Sequence, residues 1–129
     1  MAALILDASV LIGLLDAADA HHERAVGDVD TADAAGRALI APASAYSEAL
    51  VAFCRAGRLA DAREAIAAMG IGVAPLTATT AARAAQLRAD HGHLRLPDVM
   101  VLACAQEVGG ELLTYDARLA RHGRSADGS

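Results

Sequence analysis

Ala3-Leu4-Ile5-Leu6-Asp7-Ala8-Ser9 decides how the chain is read. Ala3 to Leu6 is a short apolar run, it stops at an acid, and a helical pattern from Ser9 to Ala17 follows at once. A second phrase of the same kind, Glu111 to Tyr115 followed by Asp116, lies near the other end. Two further short apolar runs, Ala38 to Ala41 and Ile71 to Leu76, stand between them. Helical stretches fill the gaps: His21 to Ala35, Ala43 to Ala56, Leu59 to Met69, Thr79 to His91 and Pro97 to Val108. Apolar strands that alternate with helices predict an α/β fold, a parallel sheet covered on both faces. Glycines at 36, 57, 70, 92 and 109–110 fall where helices would end.

Size and composition agree with that reading. A chain of 129 residues is expected to form one domain, over residues 1–121, with a polar, frayed tail at 122–129. Thirty-four positions are alanine, so the chain is helix-rich and closely packed. Only Tyr46, Phe53 and Tyr115 are aromatic, which counts against single-strand binding by base stacking. All eleven basic residues are arginine. Without lysine there is no phosphate-loop NTPase and no Schiff-base chemistry. The longest apolar stretch carries Glu48 and Arg55, so no membrane span is expected. The N-terminus lacks the basic start of a signal peptide, so the protein is expected to be cytoplasmic. Cys54 and Cys104 read as small buried hydrophobes.

Ligands of open α/β sheets bind beyond the carboxyl ends of the strands, which is where Asp7 and Asp116 fall. Two more acids sit on helices. Glu48 shares its helical face with Ser44, Ala45, Val51 and Ala52, with no arginine at helical spacing to pair it. Asp98 follows Pro97 in a helix's first turn, where it would favour the helix dipole whatever else it did. Four carboxylates brought together would repel unless a hard divalent cation stood among them, and oxygen-only ligation suits Mg²⁺ or Mn²⁺ rather than zinc. Spacing alone leaves such a site open.

Leu6-Asp7-Ala8-Ser9, Glu48, Leu96-Pro97-Asp98-Val99 and Leu113-Thr114-Tyr115-Asp116 together resemble the PIN-domain nucleases. More narrowly, they resemble the VapC ribonuclease toxins of bacterial type II toxin–antitoxin pairs. The likeness runs through nearly the whole chain in order. It implies a three-layer fold with a central parallel sheet of four or five short strands, flanked by helices. It also implies Mg²⁺ (or Mn²⁺) held by Asp7, Glu48, Asp98 and Asp116. Ser9 takes the family's hydroxyl position, and Thr114 orients the strand end. The implied reaction is hydrolysis of RNA by activated water. The implied partners are RNA, a cognate VapB-like antitoxin and a second copy of the chain in a homodimer. Leu119 departs from the pattern, since many relatives place an aromatic there.

The formal charge of −5 is unusual for a nucleic-acid binder. Setting the four acids aside leaves the rest of the chain near neutral. Arg95, Arg118 and Arg121, with Arg124, would then face RNA. The histidine pairs at 21–22 and 91/93 lack zinc-site spacing and read as surface residues. Asp19 and His22 resemble a segment of the VapC toxins that opens the second helix, which implies a role in helix start and local packing. Asp28, Asp30 and Asp33 read as a solvated acidic face. A haloacid-dehalogenase-like phosphatase or a receiver domain would need a lysine, and the first also a second acid at Ser9. A binding module without turnover is the remaining rival.

Overall fold

The structure is a computed structural model that describes residues 1–126. Four strands form one parallel sheet: β1 (Leu4–Leu6), β2 (Leu39–Pro42), β3 (Ile71–Ala74) and β4 (Glu111–Leu113). Their order is β3-β2-β1-β4, with Leu6 paired to Leu113 and Ile5 to Ile40. Seven helices surround it: α1 (Ala8–Leu15), α2 (His22–Ala34), α3 (Ala43–Arg55), α4 (Leu59–Ala68), α5 (Ala78–Asp90), α6 (Leu96–Val108) and α7 (Ala117–Ala126). The expected α/β architecture is present, with four strands.

Two apolar clusters make the core. The larger joins Leu4, Leu6, Leu39 and Ala41 of the sheet to α1–α4 through residues such as Val10, Leu11, Ala49 and Ile66. The smaller packs Ala84 of α5, Leu102 of α6 and Leu119 of α7 around Leu94 and Val99. Leu119 is buried there, so the departure from the family pattern falls on packing. Alanines let helices come close. Gly13 of α1 lies so near α2 that an added Cβ would stand 3.1 Å from Ala25 Cβ.

The chain runs outward from β1 to β2 to β3, then returns across the sheet to place β4 on the other side of β1. The reversal falls between β1 and β4. In such sheets a crevice opens beyond the strand ends at this point, and ligands bind there.

Several expectations need correction. β3 is an edge strand with Gly72 and Val73 exposed, so it is not covered on both faces. β4 stops at Leu113, so Asp116 lies beyond a two-residue connection and opens a helix. Cys54 is exposed on α3, whereas Cys104 is buried, and both are free thiols. His91, not Gly92, caps α5, and Gly92 is absent from the glycines in the left-handed region. Helix α7 runs through residues 122–126 of the segment expected as a tail, and residues 127–129 lie outside the described residues. Among the described residues no helix is long and apolar enough to cross a membrane.

Candidate active site

Asp7 sits at the seam between β1 and α1. Its backbone is still extended, and its amide donates to Leu113 O of β4 at 3.3 Å. Its side chain already caps α1, with Oδ1 accepting from the Val10 amide at 3.2 Å. An Asp in this place satisfies a backbone donor that the helix start leaves open.

Two hydroxyls hold the same carboxylate. Ser9 Oγ donates to Asp7 Oδ1 at 2.5 Å, and Thr114 Oγ1 donates to Oδ2 in a very short bond. Each hydroxyl also accepts from the connection after β4. Tyr115 N donates to Ser9 Oγ, and Asp116 N donates to Thr114 Oγ1, both at 3.1 Å. Asp116 then caps α7, its Oδ1 accepting from the amides of Arg118 (2.9 Å) and Leu119 (3.3 Å). The structure thus brings Asp7, Ser9, Thr114 and Asp116 into one network at the reversal point of the sheet.

The electrostatics of Asp7 are unusual. It is buried, and burial raises its carboxyl above the usual value of 3.8. The bonds from Ser9, Thr114 and the backbone pull the other way and only partly offset this. No cation is among the groups that perturb it. A buried carboxylate held only by neutral donors is costly, and a cation beside it would reverse the penalty.

Asp98 and Glu48 stand apart from this network. Asp98 occupies the first turn of α6, where Oδ2 accepts from Arg95 N at 3.2 Å and lies 4.0 Å from Arg95 Nε. Both contacts use one oxygen, and the side chain is largely buried. Glu48 is exposed on α3 and lines a groove of about 450 Å³ together with Ile12, Leu15, Asp16, Phe53 and Arg58. Among the described residues no three Asp, Glu, His or Cys side chains form a ready-made metal site. The donor chemistry nonetheless suits a hard cation: Asp7 is desolvated and, among the described residues, lacks a cationic partner, and the backbone amide of Asp116 is tied to it through one hydroxyl.

The arginines are outward-facing. Arg118 and Arg121 are exposed on α7, and Arg95 is exposed beside Asp98. His91, His93 and His122 cluster with edge-on and tilted rings, and the His93 and His122 Nε2 atoms are 2.6 Å apart. Burial, then the neighbouring histidines and Arg121, push His122 below its usual value. His22 fastens α2 to α1 by bonding Gly13 O at 2.7 Å, and Asp19 accepts from His21 N, as a packing role requires.

Sequence reasoning missed the surroundings of Tyr115. Its phenol donates to Asp28 at 2.8 Å, Arg24 lies over its ring, and His21 packs beside it. Burial and the Asp28 carboxylate push the phenol far above its ordinary range. The available signal was compositional, since one of only three aromatics falls between Thr114 and Asp116.

Comparison with known proteins adds to this geometry. A family model described as the PIN domain matches residues 4–125. Among solved structures, the chain is similar to VapC20 of Mycobacterium tuberculosis, a toxin that cleaves the sarcin–ricin loop. That likeness covers 94% of this chain and 95% of the other, with 18% identity and a TM-score of 0.74. A toxin–antitoxin complex from Klebsiella pneumoniae is similar over 90% of this chain and 88% of its own, with 21% identity and a TM-score of 0.71. At these identities the likeness is one of fold. A comparison with curated protein sequences finds no match.

Proposed function

The chain belongs to the PIN-domain family, and from that membership we propose that it is a divalent-metal-dependent endoribonuclease, the toxin of a toxin–antitoxin pair. The observation that carries the reading is Asp7: a buried carboxylate, held by two hydroxyls and, among the described residues, by no cation, at the sheet's reversal point. Its neighbours in space come from the other end of the sequence, so the fold gathers oxygen donors from chain ends more than one hundred residues apart.

Asp7, Glu48, Asp98 and Asp116 are the residues that would hold Mg²⁺, or Mn²⁺ in its place. The bound ion would supply Lewis-acid activation of water and offset charge on a phosphodiester. The chain's own residues prepare the place. Ser9 and Thr114 fix both oxygens of Asp7, and the same hydroxyls hold the connection that carries Asp116. Asp98 keeps its orientation through the start of α6. No serine–histidine pair is present in the Asp7 network, so the nucleophile is water rather than a side chain. Arg95, Arg118 and Arg121 supply positive charge where an RNA strand would enter.

The groove beside Glu48 is our choice for the antitoxin. Its apolar floor of Ile12, Leu15, Ala49 and Phe53 suits a helix laid along it, and Asp16, Glu48 and Arg58 give it a polar rim. A homodimer and action in the cytoplasm complete the reading. Edge strand β3, with Val73 exposed and Leu76 just beyond it, supports self-association, and sedimentation of the purified chain tests it.

The deciding experiment is RNA cleavage by purified protein with Mg²⁺ or Mn²⁺. Cleavage that stops with EDTA and in folded Asp7→Asn supports the reading. Equal cleavage by Asp7→Asn, or indifference to EDTA, refutes it. Stable partner binding without any cleavage points instead to a binding module.

A further inference from the structure

The cluster around Tyr115 is built more tightly than a surface patch requires. Tyr115 N donates to Ser9 Oγ, so the residue is anchored to the hydroxyl that holds Asp7. Its side chain reaches across to α2, where the phenol donates to Asp28 Oδ2 at 2.8 Å. Arg24, one turn before Asp28, lays its guanidinium over the ring with Cζ 4.5 Å from the centroid. Arg24 Nε stands 4.0 Å from Asp28 Oδ2. His21 packs near the same ring, with centroids 4.9 Å apart.

An exposed arginine ordinarily gives up much of its rotamer freedom when a ligand immobilises it. Arg24 has already lost part of that freedom. Its Cζ lies over the aromatic face and its Nε stands at ion-pair distance from Asp28, yet its side chain is 65% exposed. That exposure leaves the guanidinium open to a ligand, and its fork of N–H donors suits the paired oxygens of a phosphate. The position matters as much as the pose, because Tyr115 lies between Thr114 and Asp116 in the connection that closes the acidic site.

We propose that Arg24 is a phosphate-binding residue of the substrate cleft, contacting a phosphodiester that flanks the one being cut, with Tyr115 and Asp28 as its positioning residues. The proposal rests on the nuclease reading above. It assigns a cation from α2 that lies 91 positions before Tyr115 in sequence and against its ring in space. A contact to phosphate is blind to base identity, so its loss weakens all RNA sequences alike and flattens the salt dependence.

The test measures fluorescein-labelled single-stranded RNA binding to the Asp7→Asn chain across a salt series, together with steady-state cleavage by the otherwise wild-type chain. Arg24→Ala is expected to weaken binding about tenfold, with a salt slope shallower by about one. In the cleaving chain it raises KM and leaves kcat nearly unchanged. Tyr115→Phe keeps the ring but frees Asp28 and gives a smaller change in the same direction. Arg24→Lys restores the charge without the planar fork and rescues only in part. An unchanged salt slope and KM in Arg24→Ala, while the wild type cuts RNA, overturns the proposal alone. Absence of both cleavage and RNA binding in the wild type overturns the nuclease reading and this inference with it.

Discussion

Asp7 is a carboxylate that the folded chain would rather keep protonated. Burial outweighs its hydrogen bonds, so its pKa lies above the unfolded value. The sign of the linkage follows. Between the unfolded and the raised folded pKa the native state binds more protons, so stability falls as pH rises through that window. The penalty is complete above the folded pKa and absent below the usual 3.8. Asp7→Asn removes the charge and keeps an acceptor for the hydroxyls. It should therefore melt higher than wild type at pH 7, by roughly 0.5–2 kcal/mol of stability, while RNA cleavage disappears. In calorimetry the two should converge as pH drops below the carboxylate range. Thr114→Val keeps the shape but strips a donor from Asp7 and an acceptor from Asp116 N. A loss of about 1–3 kcal/mol in denaturant unfolding is expected, and Thr114→Ser should recover most of it.

At the scale of elements, β1 and β4 must come close for the site to exist, and Gly110 permits it. A Cβ there would lie 2.7 Å from Ile5 Cγ1 of β1 and 2.9 Å from the backbone oxygen of Ala3, just before that strand. Gly110→Ala should destabilise by about 1–3 kcal/mol in thermal melts, from overpacking alone. Asp116 combines two roles that substitution can separate. Asp116→Asn keeps the cap of α7 and loses the carboxylate, whereas Asp116→Ala loses both. Cleavage should vanish in each, but only Asp116→Ala should lose about 1 kcal/mol of stability.

Strand-then-acid phrases were legible because apolar runs between glycines have one good explanation in a chain this size. Asp98 was legible because Pro97 marks a first helical turn. Helix α7 was not read, although Asp116-Ala117-Arg118-Leu119 carries a cap residue before a buried leucine. Attention to Asp116 as a strand end hid its role as a helix start. The exposure of Cys54 was hidden for another reason: α3 continues past the core, and alanine-rich helices look alike on buried and open faces. Tyr115 with Asp28 and Arg24 is a contact across the fold that local pattern does not encode.

For the whole molecule, topology explains why the two ends of the chain meet. The return of the chain puts β4 beside β1, so the residues that follow both strands, Asp7 and the connection that leads to Asp116, lie at the same end of the sheet. On the proposed reading, part of the formal charge of −5 would belong to a cation site rather than to a surface that repels RNA. Asp98 and Glu48 have local duties as well, a helix start and a groove wall. Mg²⁺ should raise the melting temperature of the wild type, by about 2.7 kcal/mol of stability at a hundredfold excess over Kd, and leave Asp7→Asn unmoved.

The most direct measurement is anomalous diffraction from crystals of the chain grown with Mn²⁺. We predict a peak beside Asp7, contacted also by Asp98 and Asp116, and its loss in Asp7→Asn. Density with no peak at Asp7, or a peak that survives Asp7→Asn unchanged, would contradict the account.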